Sequence, residues 1–345
     1  MPKKTRSGDD RSGRTGGRAS LMDLAAIDRW PRGIACDGGF KILGTPLGFA
    51  GSRRPGLLFL GGADARPPRR GQRAIATPFV ASALGAAERE LDALALGYGR
   101  AIRLGRMDLR LLPSGVGPGA AQLELGFRGR SIAYCDGVRL ASPLHGPPAE
   151  VARCDLLLLD AAPADPRPGS PRRAAKRLAA WADEHLRAGP TAIVAGGAYA
   201  ALDAAFALTR AGIPIRAVRP VFEMLRRVED HGFGVPRLRR LEQRAVDDAL
   251  ILHLDRLWPR AGVAGATRGR VAFCGPGRRV PAYASAGFRL GESEDRPGLI
   301  AYAKRTGAAH IALGPRCDDA TAELLARTGA AVYRVERPTQ MPLPL

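Results

Sequence analysis

The sequence predicts an α/β protein built in two parts, and three observations carry that prediction. Short apolar runs bounded by Gly, Pro and Asp, the marks of buried strands, crowd the chain up to residue 160. Beyond a Pro-rich linker at 163–171, apolar runs alternate with helical patterns, the order of a parallel sheet covered by helices. Hydrophobic residues make up 46% of the 345 positions, enough for a sizeable core. No apolar run approaches the ~18 residues that a membrane-crossing helix needs.

Taken in order, residues 1–20 are Gly, Arg, Ser and Lys with little that is apolar, and read as a disordered basic tail. They contain no hydrophobic segment of the secretory kind. Residues 21–30 can form a short helix. A β-hairpin is expected from 33–37 and 40–43, turning at Gly38-Gly39. Leu57, Leu58, Phe59 and Leu60 form a strand that stops at Gly61-Gly62. A loop follows with a lone Asp64, a basic cluster (Arg66, Arg69, Arg70, Arg73) and an apolar return, Ala74-Ile75-Ala76. Residues 78–95 are Ala-rich and predict one amphipathic helix. Strands are expected at Ile102 and over 107–112, 121–127 and 131–135, with a Gly/Pro loop, LLPSGVGPGAA, at 111–121.

Asp136 ends one of these strands, and Asp160 ends the apolar run 156–159. The second part then predicts a helix over 172–187, a strand over 191–195, a helix over 199–211 and a strand over 214–218. Residues 221–244 are strongly basic and read as a solvated helical surface. Strands over 271–274 and 306–314, a helix over 318–327 and a strand over 331–335 complete the reading.

Charge narrows the function. The net charge is +20, with five lysines among 53 basic residues. An exchange of Lys for Arg leaves charge unchanged, so the excess of base over acid needs its own cause. The first twenty residues hold six bases and two acids, so about +16 belongs to the rest. A polyanionic partner follows, nucleic acid before anionic lipid. The five cysteines are scattered and form no C-x-x-C pair, which points to buried reduced thiols and a cytoplasmic protein. No G-x-S-x-G, P-loop or H-E-x-x-H pattern occurs.

Phrases along the chain, in order, resemble the metallo-β-lactamase-fold nucleases of the β-CASP branch, among them the bacterial ligase-associated DNA exonucleases. The strand ending at Gly61 resembles the family's strand before His-x-His-x-Asp-His, with Asp64 at its Asp and Leu60, Gly62 and Ala65 at its histidines. The Gly/Pro loop resembles a metal-ligand loop, with Val116 at the His. Asp136 matches a bridging aspartate, and Asp160 an acid that ends a buried strand. Ala198-Tyr199-Ala200-Ala201-Leu202-Asp203 resembles a phrase that opens a helix beside the nucleic-acid cleft. Glu292 to Leu299 resembles Ser-Asp-His-Ala-Asp-Trp-Pro-Gly-Leu, with Asp295 kept and Ser293 at the His. Leu313 falls on the last ligand.

The resemblance implies an αββα sandwich, split over 21–165 and 286–345, around a three-layer α/β β-CASP-like insertion at 166–285. The family uses two Zn or Mn ions. Here two aspartates (Asp64, Asp136) stand at the metal-site positions and all five histidines are replaced, so no cofactor is expected. His145, His185, His231, His253 and His310 sit at no motif position and read as surface or satisfied core residues. The implied function is a catalytically degenerate nuclease homologue. It would bind DNA or RNA through Arg66, Arg69, Arg70 and Arg73, or serve beside an active nuclease or DNA ligase in DNA repair or RNA processing, away from membranes. One alternative is a live nuclease that rewires Asp64, Asp136, Asp160 and Asp295 around Mg²⁺ or Mn²⁺. Another is a structural subunit whose basic face meets an acidic protein.

Overall fold

Alternating burial along short strands builds two facing sheets. The computed structural model describes residues 34–36, 39–49, 52, 56–69, 71–85, 91–127, 129–141, 143–164, 170–234, 239–240, 250–254, 270–275, 280–291 and 293–335. The tail expected at 1–20, the helix expected at 21–30 and Arg70 lie outside the described residues.

The first sheet takes its strands in sequence order: β1 (Ile34–Cys36), β2 (Phe40–Ile42), β3 (Leu47–Phe49), β4 (Leu57–Phe59), β5 (Arg73–Ala76) and, after helix α1 (Pro78–Gly85), β6 (Ala93–Ala95). The second opens with β7 (Ala101–Leu104), β8 (Met107–Pro113), β9 (Ala121–Phe127), β10 (Arg130–Cys135) and β11 (Leu156–Leu159). Phe49, Phe59 and Ile75 of the first sheet share one apolar cluster with Leu109, Leu123, Tyr134 and Leu158 of the second. Tyr134 stacks on Phe49 at 4.3 Å between ring centres and meets Phe59 edge-on at 5.8 Å, geometries that aromatic quadrupoles favour.

The chain then leaves to build a third sheet. Its elements are α2 (Pro171–Leu186), β12 (Thr191–Ala195), α3 (Ala198–Arg210), β13 (Ile215–Ala217), α4 (Arg219–Asp230), β14 (Arg239–Arg240), β15 (Leu250–Leu254), β16 (Val271–Cys274) and β17 (Ala286–Phe288). The strand order is β14-β13-β15-β12-β16-β17, with every neighbour parallel. The continuous apolar runs suit strands buried on both faces.

Helix α5 (Arg296–Thr306), β18 (His310–Leu313), α6 (Asp319–Ala326) and β19 (Ala331–Arg334) return to the second sheet, whose full order is β19-β18-β11-β10-β9-β8-β7. Ala133, Cys135, Leu157, Leu159, Ile311 and Leu313 point away from the first sheet and pack on Leu299, Tyr302 and Ala303 of α5 and Leu325 of α6. Leu58, Leu60, Ala74 and Ala76 likewise leave the outer face of the first sheet to meet Phe79 and Val80 of α1, in a cluster continuous with α3. The layers therefore run helix, sheet, sheet, helix. No helix among the described residues is long and apolar enough to cross a membrane.

Several expectations are corrected here. Of the helix expected over 78–95, α1 covers Pro78–Gly85, residues 86–90 lie outside the described residues, and Ala93–Ala95 instead pairs in parallel with β5 (Ala74↔Ala93). Pairing along a free sheet edge outweighs the helix propensity of Ala and Leu in so short a run. The boundary at 285 falls short, because β17 still belongs to the third sheet through its pairing with β16. In the basic stretch 221–244, α4 ends at Asp230, and Arg239–Arg240 is a strand beside β13.

Candidate functional site

The ends of three parallel strands define one edge of the sandwich. The registers Cys135↔Leu159 and Leu159↔Leu313 align the C-terminal ends of β10, β11 and β18. The residues that follow them, Asp136, Asp160 and Gly314, therefore emerge side by side. Gly61 brings the first sheet to the same edge: its carbonyl accepts the Ala121 N–H at 2.7 Å. A Cβ on Gly61 would lie 2.6 Å from Asp136 Oδ1, and one on Gly314 would lie 2.3 Å from Asp160 Oδ1. Both glycines are thus required by close approach to a carboxylate.

Arg316 stands between the two acids. Its backbone N–H donates to Asp160 Oδ1 at 3.1 Å and its Nε to Asp160 Oδ2 at 3.2 Å. Its Nη2 lies 3.9 Å from Asp136 Oδ2. The Asp160 side chain is 3% exposed and that of Asp136 22%. Burial pushes the Asp136 carboxyl up to about 6 against the opposing pull of Arg316, with the Asp160 charge adding to the rise. Burial also raises Asp160, again opposed by Arg316. The guanidinium loses hydration, yet the two carboxylates hold its own pKa up.

A second side chain fills the neighbouring space. Tyr199, in the first turn of α3, is buried, and its hydroxyl accepts the Ala63 N–H at 2.9 Å and donates to the Pro118 carbonyl at 3.4 Å. A Cβ at Gly62 would lie 3.0 Å from the ring, and one at Gly117 only 2.3 Å from it. Asp64 is also engaged with α3. Its Oδ1 accepts the Ala198 N–H at 2.6 Å and its Oδ2 the Tyr199 N–H at 3.4 Å. Gly197, the residue before α3, offers no side-chain cap, so Asp64 caps the helix from another part of the chain.

Of the other expected site residues, Val116 and Ser293 lie beside the Asp136 strand end, each within 3.8 Å of a Cβ built on Gly137. Asp295 caps α5, accepting the Gly298 N–H at 2.8 Å. Leu60 and Leu313 are core side chains, on the outer faces of their sheets. Ala65 packs at the margin of the same cluster as Leu60, and Val116 lies within 3.5 Å of a Cβ built on Gly137. Ser293 exchanges hydrogen bonds with the backbone of Val138. Arg66 and Arg69 are exposed on the loop after Asp64. Arg73 sits at the start of β5, the end of the strand away from Ala76, and pairs with Asp92 at 3.0 Å.

The donor set does not fit the two metal ions that the resemblance implies. The side chains of Leu60, Gly62, Ala65, Val116 and Leu313 supply no lone pair, Asp64 caps α3, and the Arg316 guanidinium lies between Asp136 and Asp160. Among the described residues no three His, Cys, Asp or Glu side chains gather to hold a metal ion.

Sequence reasoning missed Arg316 and a buried ionic cluster. Asp203 of α3, fully buried, faces Arg139 Nη1 at 3.5 Å and His145 Nε2 at 2.8 Å, and accepts the Gly291 N–H at 2.8 Å. Burial alone would raise its carboxyl, but the His145 hydrogen bond and the Arg139 charge hold it below the ordinary range. The cluster fastens α3 to the segment after β10. Arg316 was marked in the sequence only as a cation three residues beyond a strand end. No protein-family model matches the chain, and no curated protein matches it.

Proposed function

We propose that this chain is a catalytically degenerate relative of the metallo-β-lactamase-fold β-CASP nucleases. In this reading it binds DNA or RNA without hydrolysing it, or partners an active nuclease or a DNA ligase in DNA repair or RNA processing. The helix–sheet–sheet–helix order, interrupted by a parallel sheet with α2, α3 and α4 packed on it, supports an αββα sandwich with a β-CASP-like insertion.

The observation that carries the reading is Arg316 between Asp136 and Asp160. A monovalent organic cation balances the acids there, where a nuclease of this family would hold its ions. A guanidinium neutralises charge but polarises no bound water into hydroxide, which is the work a metal performs in such hydrolysis. The alternative of a carboxylate-only Mg²⁺ or Mn²⁺ site lacks support, because Asp64 and Asp295 serve as helix caps. The net charge of +20 supports a polyanionic partner.

End-labelled single- and double-stranded oligonucleotides, DNA and RNA, incubated with the protein and Mn²⁺ or Zn²⁺, test the proposal. The expected result is a retarded complex with label of unchanged length. Shortened label whose production is abolished by D136N would establish a live nuclease. Failure to retard any oligonucleotide at low salt would remove nucleic acid from the account.

A further inference from the structure

We infer that the solvent face of α2 is the main nucleic-acid contact of this protein and that it grips the phosphate backbone; the inference rests on the nucleic-acid reading above and gives it a location. Between Pro171 and Ala182 the helix carries four cations, Arg172, Arg173, Lys176 and Arg177, and no acid. All four are exposed. They fall at positions i, i+1, i+4 and i+5, so they form two rows on one face, about 6 Å apart along the axis. Among the described residues none of the four forms an ion pair.

Other surface arginines are neutralised. Arg73, Arg103, Arg110, Arg187, Arg219 and Arg296 each have a carboxylate within 3.0 Å. Helix α4, in the stretch that the sequence marked as basic, carries Glu223, Glu229 and Asp230 against Arg219, Arg226 and Arg227. On α2 the four cations crowd the first two turns, and its two acids, Asp183 and Glu184, lie in the last turn.

The face is also rigid. Ala175, Leu178 and Ala182 are buried on the opposite side of α2, in one cluster with α3. Ser170 caps the helix by accepting the Arg173 N–H at 3.2 Å. The Arg177 guanidinium lies 6.0 Å from the centre of the Phe288 ring, a cation–π distance that restrains it. The helix dipole adds positive potential at the same end.

Among the described residues the exposed large apolar side chains are Leu94, Val280 and Leu324. None is aromatic, so among the described residues no fully exposed ring is offered to stacking bases. The ligand chemistry is accordingly phosphate, read without sequence preference.

Fluorescence anisotropy with labelled 20-nucleotide DNA and RNA, single- and double-stranded, over 50–200 mM salt, tests the inference. In the quadruple variant R172A/R173A/K176A/R177A the slope of log K against log salt should fall by about three, at 0.7–0.9 per lost contact. Wild-type protein should then lose about 60-fold more affinity than the variant across that fourfold salt range. Alanine suits a helix, and circular dichroism should show an unchanged fold. The charge-matched variant R226A/K304A/R305A/R327A should keep the wild-type slope.

Wild-type binding with equal slopes in both variants would overturn the α2 assignment and leave the nucleic-acid reading standing. No wild-type binding at 50 mM salt would overturn both. Parallel titrations with polyglutamate and with phosphatidylserine vesicles complete the test. Tighter, α2-dependent binding to either would overturn nucleic acid as the partner.

Discussion

Replacing Arg316 by methionine keeps most of the side chain's apolar volume and removes the cation between Asp136 and Asp160. Breaking a fully buried ion pair from one side costs about 3–5 kcal/mol, mostly as the penalty on the charge left behind. Here the Asp160 side chain is 3% exposed but that of Arg316 is 46% exposed, so solvent already screens part of the interaction. Asp160 also keeps a backbone donor, the N–H of residue 316. A loss of about 2 kcal/mol is the expected net effect.

The loss should depend on pH, and the sign is fixed by the acids. Without the guanidinium both carboxyls rise further, and protonation relieves them. The deficit of R316M relative to wild type should therefore be largest at pH 8 and shrink as pH falls through about 6, where Asp136 takes up its proton in the intact protein. Thermal melts from pH 5 to 8 measure it, with D160N/R316M as the second arm. Removing the more buried acid should restore most of the loss at pH 8. A pH-independent deficit, or a double variant as unstable as R316M, would refute the ion-pair reasoning.

Asp136→Asn should stabilise the protein above pH 6 by about 1–3 kcal/mol and have no effect below pH 4. The folded pKa is raised to about 6, so in wild type this group's penalty grows as pH rises; equal melting gains at pH 4 and pH 8 would contradict the burial argument. Asp203→Ala should be among the most damaging substitutions, about 3–5 kcal/mol in chemical denaturation, because it leaves the 4%-exposed Arg139 side chain without its carboxylate. Gly117→Ala should cost about 1–3 kcal/mol by forcing Tyr199 aside, and Tyr199→Ala in the same chain should cancel most of the clash. All five cysteines are buried and outside any disulfide, and burial pushes the Cys154 and Cys317 thiols up to about 12. An aromatic disulfide reagent should thus label none quickly in native buffer and all five after denaturation.

Much of the fold was legible because burial left periodic traces. The four-leucine run Leu156–Leu159 and the run Thr191–Ala195 are strands at the expected places, each buried throughout. Helix α5 escaped notice although its signals are local: Asp295 as cap, Pro297 in the first turn and Gly307, at φ 72°, after the last. A motif-minded reading of 292–299 hid an ordinary helix start. Strand β15 sits between β12 and β13 in the third sheet, yet its run Leu250–Leu254 contains His253 and follows a polar stretch, which masked it.

At the candidate site, the sequence identified which acids end strands, because that is a matter of order along the chain. It did not reveal that Tyr199 and Arg316 lie among them. Tyr199 reaches Ala63 across 136 positions and Arg316 reaches Asp160 across 156, and such pairings are set by the assembled sheets.

In the proposed function Arg316 supplies the positive charge at this edge in place of metal. Elemental analysis of protein produced in medium supplemented with zinc and manganese, and purified without chelator, tests this. The expected result is well under one equivalent of zinc, manganese or iron per chain, unchanged in D136N. One or two equivalents in wild type, lost in D136N, would contradict it.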